Sequence, residues 1–221
     1  MMPTSRMEIA VMRAVLALLI LSLSVPVWAQ DPLKTDNPSQ FIQTLMDQVL
    51  GRIKTERPRL QNDRGALRKL VNEGILPHAD FRTTSRLVLG PLWNQASDAQ
   101  KTAFMDAFQD MLMRTYADAL LSYDDQPIQV KRPTGGYFDW DKAVPTEIVM
   151  KDGRPINVKY YLYLNPQGEW KVYDVVAENV SFIMSYRNVL QDDARRLGLD
   201  GLIQKMRTQT IPATQANAQK S

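Results

Sequence analysis

The rhythm of apolar positions changes twice along this chain. From Asn37 to about Ser122 apolar residues recur every three or four positions, from Val144 to Phe182 they alternate, and beyond Phe182 the helical spacing returns. The clearest alternation is Trp170-Lys171-Val172-Tyr173, inside the stretch Gly168–Phe182. Ahead of it Ile156–Leu164 alternates as well, and the turn-rich Asn165-Pro166-Gln167-Gly168 predicts an antiparallel hairpin between the two. A third run, Val144–Met150, joins through a connector carrying Asp152-Gly153, another hairpin signal. Pro127–Pro133 adds a short strand, with Thr134-Gly135-Gly136 as a flexible exit.

The helical half has its own punctuation. Asn37-Pro38 opens a helix carrying Phe41, Ile42, Leu45, Val49 and Ile53, which Pro58 is expected to end. Asp63 caps a second, with Leu67, Leu70 and Val71 inward and Gly74 closing it. A third begins near Pro77–Asp80, carries Phe81, Leu87, Val88 and Leu89, and stops at Gly90-Pro91. Ser97 with Gln100 forms a capping box that opens the longest helix, Asp98–Ser122, whose broad apolar stripe includes Phe104, Phe108, Met111, Leu112, Tyr116 and Leu120. After Phe182, Gly198 and Gly201 predict two short helices at an angle. Helices, then strands, then helices is a segregated order, so the class is α+β.

The ends read differently. Arg6 and Arg13 precede the ten-residue apolar run Ala14–Leu23; Pro26 breaks it and Val27-Trp28-Ala29 resembles a cleavage site. Residues 1–29 therefore read as a secretory signal peptide cut after Ala29. Residues 30–37 are expected to be flexible, 38–207 to form one α+β domain, and the Gln-, Ala- and Thr-rich 208–221 to be a disordered tail.

Composition narrows the chemistry. With 27 basic and 24 acidic side chains the net charge is only +3, too even to argue for nucleic acid. Cysteine is absent and His78 is the single histidine, so thiol chemistry, zinc clusters and His-based triads lack their parts. Phosphate-cradling loops and nucleophile elbows are also missing from the sequence. Asp124-Asp125 and Asp192-Asp193 read as solvated charge, and Arg82 with Arg86, one turn apart, as a solvated face or a phosphate or partner contact. Asp174 interrupts the alternation of the last strand: it is either a hydrogen-bonded structural acid or the base of a small enzyme.

Inward-facing apolar surface is the strongest signal. Val144, Ile148 and Met150 share one sheet face with Val158, Tyr160, Leu162, Leu164, Trp170 and Val172, while Glu147, Lys159 and Lys171 mark a wet opposite face. Packed core and ligand cavity have the same linings, so periodicity cannot separate them. Methionines such as Met111, Met113 and Met150 suit adaptable walls.

The order of motifs resembles a known family, the MlaC-type periplasmic phospholipid carriers of the Mla (maintenance of lipid asymmetry) pathway, also called toluene-tolerance proteins. The likeness runs over about residues 38–207. It rests on Leu76-Pro77, Leu87-Val88-Leu89-Gly90, Phe104…Phe108…Tyr116, Gly153-Arg154-Pro155 and above all Trp170…Tyr173-Asp174…Ala177-Glu178…Val180-Ser181. His78 stands where an aromatic residue is often found.

The resemblance implies helices packed on a curved, mainly antiparallel four-stranded sheet, a nuclear-transport-factor-like cone enclosing an apolar cavity. It implies a periplasmic, non-enzymatic, monomeric carrier without cofactors, whose cargo is phospholipid. Its implied partners are an outer-membrane lipoprotein–porin complex and an inner-membrane ABC transporter bearing an MCE domain, with transient membrane-surface contact made through those partners. Together with the stripes above, it points to Leu87, Leu89, Phe104, Phe108, Met111, Tyr116, Val144, Ile148, Met150, Val158, Tyr160, Leu162, Leu164 and Val172 as the lipid-binding residues. Two other readings stay open: a small secreted isomerase- or dehydratase-type enzyme using Asp174, and an envelope adaptor whose apolar interior is ordinary core.

Overall fold

A computed structural model describes residues 33–213. The expected signal peptide and the end of the expected tail lie outside these residues. Helix α1 (Pro38–Asn62) is opened by Asn37, whose side chain accepts from the Ser39 and Gln40 amides at 3.0 and 3.3 Å. α2 (Arg64–Gly74) is capped by Asp63 in the same way, and a 3₁₀ turn (Leu76–His78) leads to α3 (Phe81–Leu89), capped by Asp80. The short α4 (Pro91–Gln95) precedes α5 (Asp98–Leu121), where both hydrogen bonds of the Ser97–Gln100 box form. Strands β1 (Ile128–Val130), β2 (Thr134–Gly135), β3 (Lys142–Val149), β4 (Pro155–Leu164), β5 (Trp170–Ala177) and β6 (Val180–Ser181) follow. α6 (Phe182–Thr208) closes the chain and is interrupted at Gly198, whose φ of 72° leaves the helical region.

The sheet order is β1-β3-β4-β5-β6 with β2 also on β3, and every strand pair is antiparallel. The four expected strands are present, extended by the two-residue β2 and β6. Pro58 does not end α1, contrary to expectation. It lies on the exposed side of the helix, while Leu60 beyond it is 1% exposed in a core. Packing of that last turn outweighs the one backbone bond that proline removes.

A bulge between β4 and β5 corrects the face assignment. Tyr161 pairs with Asp174 and Leu162 with Val172, so Tyr173 is the extra residue. The face expected to be wet is wet only in part. Lys159 is exposed, but Ala143, Tyr161, Tyr173 and Val176 are buried against α3, α5 and α6. Helices thus cover both faces of the sheet: α1 places Phe41 and Ile42 on Val144, Leu162 and Trp170.

Apolar side chains gather in three clusters. The principal one joins α3, α4, the first half of α5, α6 and one sheet face. A second joins the later part of α1, α2 and the second half of α5. The third lies between early α1 and the other sheet face. Ile211, within the segment expected to be a tail, is buried in the principal cluster. Asp193, expected to be solvated charge, is instead buried: it accepts from Arg196 on its own piece of α6 and, across the break, from Lys205 at 2.6 Å, which ties the two helical pieces together.

Candidate functional site

The three clusters do not merge. Where they meet, a cavity of about 380 Å³ remains. α1 contributes Ile42, Leu45 and Met46; α2 and the turn after it contribute Val71, Ile75 and Leu76. The second half of α5 supplies Leu112, Met113, Tyr116, Ala117 and Leu120, and the sheet supplies Tyr160, Val172 and Val175. Phe81 and Phe182, at the starts of α3 and α6, complete the wall.

Apart from the Tyr160 hydroxyl, the polar groups on this wall are engaged by protein partners. Thr84 donates to the carbonyl of Tyr173 at 2.7 Å, and Gln109 donates to Asn72 at 3.1 Å. Tyr116 and Tyr186 share a hydrogen bond of 3.1 Å. His78 packs edge-on against Phe41, with ring centroids 5.8 Å apart. Loss of water pushes the Tyr160 phenol up to about 12. A lining of this kind offers methyl and ring surface and few vacant hydrogen-bonding groups, so it selects hydrocarbon.

Asp174 resolves into a structural acid. Its carboxylate accepts from the Val175 amide at 2.9 Å, the Ile183 amide at 3.1 Å and the Ser181 hydroxyl at 2.7 Å. Ser181 in turn caps α6 by accepting from the Met184 amide. Burial raises the Asp174 pKa, and the three hydrogen bonds oppose that rise. Both oxygens thus hold the β5–α6 corner. Asp80 is similarly engaged: burial pushes it up, but hydrogen bonds from Thr83 and Tyr163 outweigh burial and hold it below the usual carboxylate range. Among the described residues no group of three or more His, Asp and Glu could hold a metal ion.

Of the residues expected to bind lipid, Tyr116, Tyr160 and Val172 line the cavity. Leu89, Phe104, Phe108 and Met111 are instead buried in the principal cluster, with Leu87 packed at its margin. Val144 and Leu162 lie under α1 in the third cluster, because that helix covers their end of the sheet face. Val158 is buried on β4, Ile148 and Met150 are partly buried near the other end of β3, and Leu164, beside the Asn165 turn, is 45% exposed. Much of the wall comes instead from α1, the turn after α2 and the second half of α5. Periodicity had marked Ile42, Leu45, Val71, Leu112 and Leu120 as inward, but nothing in it told a hollow from a contact.

The combination defines a class: an α+β binding protein whose helices and antiparallel sheet enclose a hydrocarbon-lined cavity. Within that class the chain belongs to the MlaC family, whose model matches residues 43–208. It is 26% identical over 172 residues to the intermembrane phospholipid transport system binding protein MlaC of Haemophilus influenzae, covering 77% of this chain and 80% of that protein. It is also 26% identical over 164 residues to the toluene tolerance protein ttg2D of Pseudomonas putida, covering 74% of this chain and 75% of that one. Among solved structures, the phospholipid-binding protein of Ralstonia solanacearum in complex with a phospholipid superposes with a TM-score of 0.69 at 30% identity. The match covers 76% of this chain and 93% of that one.

Proposed function

We propose that this chain is a periplasmic carrier that binds glycerophospholipid by its acyl chains and moves it between membranes. The observation that carries the reading is the cavity where three apolar clusters meet, in a chain whose solved neighbour holds a phospholipid. Burying a methylene is worth about 0.8 kcal/mol, so a diacyl lipid gains roughly 20 kcal/mol from either a bilayer or a dry cavity. Free in water it is prohibitively unstable. A carrier need only match the bilayer, and direction then comes from its partners. We assign those roles to an outer-membrane lipoprotein–porin complex and an inner-membrane MCE-domain ABC transporter, with export by a signal peptide ending at Ala29. The carrier itself needs no cofactor and catalyses no reaction.

Acyl chains differ in length and unsaturation, so the walls of a cavity of about 380 Å³ must adjust to the chains they hold. Met46 and Met113, flexible side chains on opposing helices, are suited to that adjustment.

Organic extraction of the purified protein followed by mass spectrometry tests the reading. The expected result is phospholipid at near-stoichiometric yield; a polar metabolite or nothing would overturn it. Leu112→Glu places a charge on the wall at a half-buried position. It is expected to lose the lipid while the protein keeps its helical signal and cooperative melting. A folded Leu112→Glu protein that still carries lipid would show that the tails lie elsewhere.

A further inference from the structure

We propose that the loop between β2 and β3 docks the protein directly on an anionic bilayer surface through Tyr137, Phe138 and Trp140. These rings are 52%, 50% and 54% exposed, and none of them lines the cavity.

The loop is built and held from below. Asp141, 1% exposed, accepts from the amides of Tyr137 and Phe138 at 3.2 and 2.9 Å and from the hydroxyl of Tyr173. Gly136 is required for this closure, since a β-carbon there would sit 2.1 Å from the Asp141 Oδ1. Tyr137 stacks flat on Tyr161, with centroids 3.9 Å apart and planes within 3°. Phe138 stacks on Trp140 at 4.9 Å, and Trp140 meets Tyr163 edge-on at 5.5 Å. Exposed aromatic area is usually reduced by burial against the protein. Here a buried carboxylate and a glycine fix three rings with half of each in water, and a surface ordered in advance loses little entropy on docking.

Charge selects the partner. Lys159 is exposed on the same β4 face as Tyr161 and Tyr163; Lys142, also exposed, directly follows the loop and pairs with Leu162 on the other face of the sheet. Arg86, exposed on α3, acts electrostatically on Tyr163 from beyond the half-buried Asp80, whose carboxylate accepts from the Tyr163 hydroxyl at 2.6 Å. Asp139 is the one exposed acid within the loop. Aromatic rings that are apolar in body and polar at the tip, flanked by cations, match the headgroup zone of a membrane rich in anionic lipid. Tyr173 connects this surface to the cargo site, because it both holds Asp141 and lines the cavity.

The exported chain from Gln30 onward, which contains every described residue, is mixed with phosphatidylglycerol-rich vesicles or with pure phosphatidylcholine vesicles. Both sedimentation and quenching by brominated acyl chains are read. Trp140 is the reporter, since Trp93 and Trp170 are 4% and 8% exposed. The expected result is sedimentation with the anionic vesicles, weakened by salt, with quenching that Trp140→Phe largely removes while sedimentation persists. The triple variant Tyr137→Ser, Phe138→Ser, Trp140→Ser is expected to sediment at least about tenfold less while still co-purifying with lipid. Leu112→Glu should do the opposite and sediment normally without cargo, which separates this surface from the cavity. Sedimentation of the triple variant like the unmodified chain, or no sedimentation of the unmodified chain, overturns the proposal. So does a dimer in solution that the triple variant abolishes, because a second copy would then be the occupant.

Discussion

The two halves of α5 carry apolar residues at the same helical spacing, yet they do different work. In the first half Phe104, Ala107, Phe108 and Met111 are at most 2% exposed and fully surrounded. Phe108 alone has the rings of Phe81, Phe104, Phe182 and Tyr186 within about 6 Å. In the second half Leu112, Met113, Tyr116 and Leu120 face the cavity, and the side chains opposite them stop short. What differs is the partner. The first half meets α6 and α3 squarely, whereas the second faces a junction between α1, α2 and the sheet that three separate clusters leave unfilled. A binding site can therefore arise from an ordinary amphipathic helix by withholding the opposing side chains.

The largest effect should come from cutting the packed half. Phe108→Ala removes a ring from a site that cannot collapse, and is expected to cost about 3–5 kcal/mol of stability in urea unfolding. Met113→Ala, on the cavity half, should cost about 1 kcal/mol, because its side chain already borders empty space. Similar losses at both positions would mean that the two halves are packed alike and that no hollow distinguishes them.

Filling the hollow sharpens the contrast. Ala117→Leu extends a side chain from α5 into the cavity. Each methylene buried there is worth about 0.8 kcal/mol, so a gain of about 1–2 kcal/mol is expected in the lipid-free protein. Extracted phospholipid per protein should fall at the same time. Lower stability with undiminished lipid would place the free space elsewhere.

The contrast between the halves of α5 also marks what could be read from residues alone. Elements were legible because they have local causes: Asn37, Asp63 and the Ser97–Gln100 box start helices where expected, and Asp152-Gly153 and Gly168 turn the strands. The cavity was not, because a void is a property of what faces a residue across the fold. Phe108 and Leu112 carry the same sequence signal, and only the positions of α1 and α6 separate them. The bulge at Tyr173 is equally silent in sequence, and so is the packing of α3, α5 and α6 on a face that alternation marks as wet. Thr134-Gly135-Gly136 looked like a flexible exit because the need for Gly136 comes from Asp141, a contact made only when the loop closes. Pro58 misled for the opposite reason: a local breaker was overruled by the burial of Leu60.

The smallest effect concerns Asp174, which belongs to both regions: it lines the cavity and anchors the start of α6. Burial raises its pKa, so the folded protein holds the proton more tightly than the unfolded chain does. Its contribution must then favour folding at low pH and turn unfavourable as pH rises through the folded value, leaving an ionised, partly desolvated carboxylate at neutral pH. Asp80 and Asp193, both lowered, contribute in the reverse direction and lose stability as pH falls. Only the difference between two proteins isolates Asp174. In Asp174→Asn the amide oxygen can still accept from the Val175 and Ile183 amides, and the hydroxyl of Ser181 can turn to meet the new NH₂ group. Stability at pH 7 should stay within about 1 kcal/mol of the unmodified protein. The stability difference between the two should shift toward the unmodified chain as pH is lowered from 7 to about 5. Lipid content should be unchanged, since the hydrocarbon wall remains. Loss of lipid in a stable Asp174→Asn protein would make the carboxylate part of the cargo site, and the division between a corner that holds and a hollow that binds would fail there.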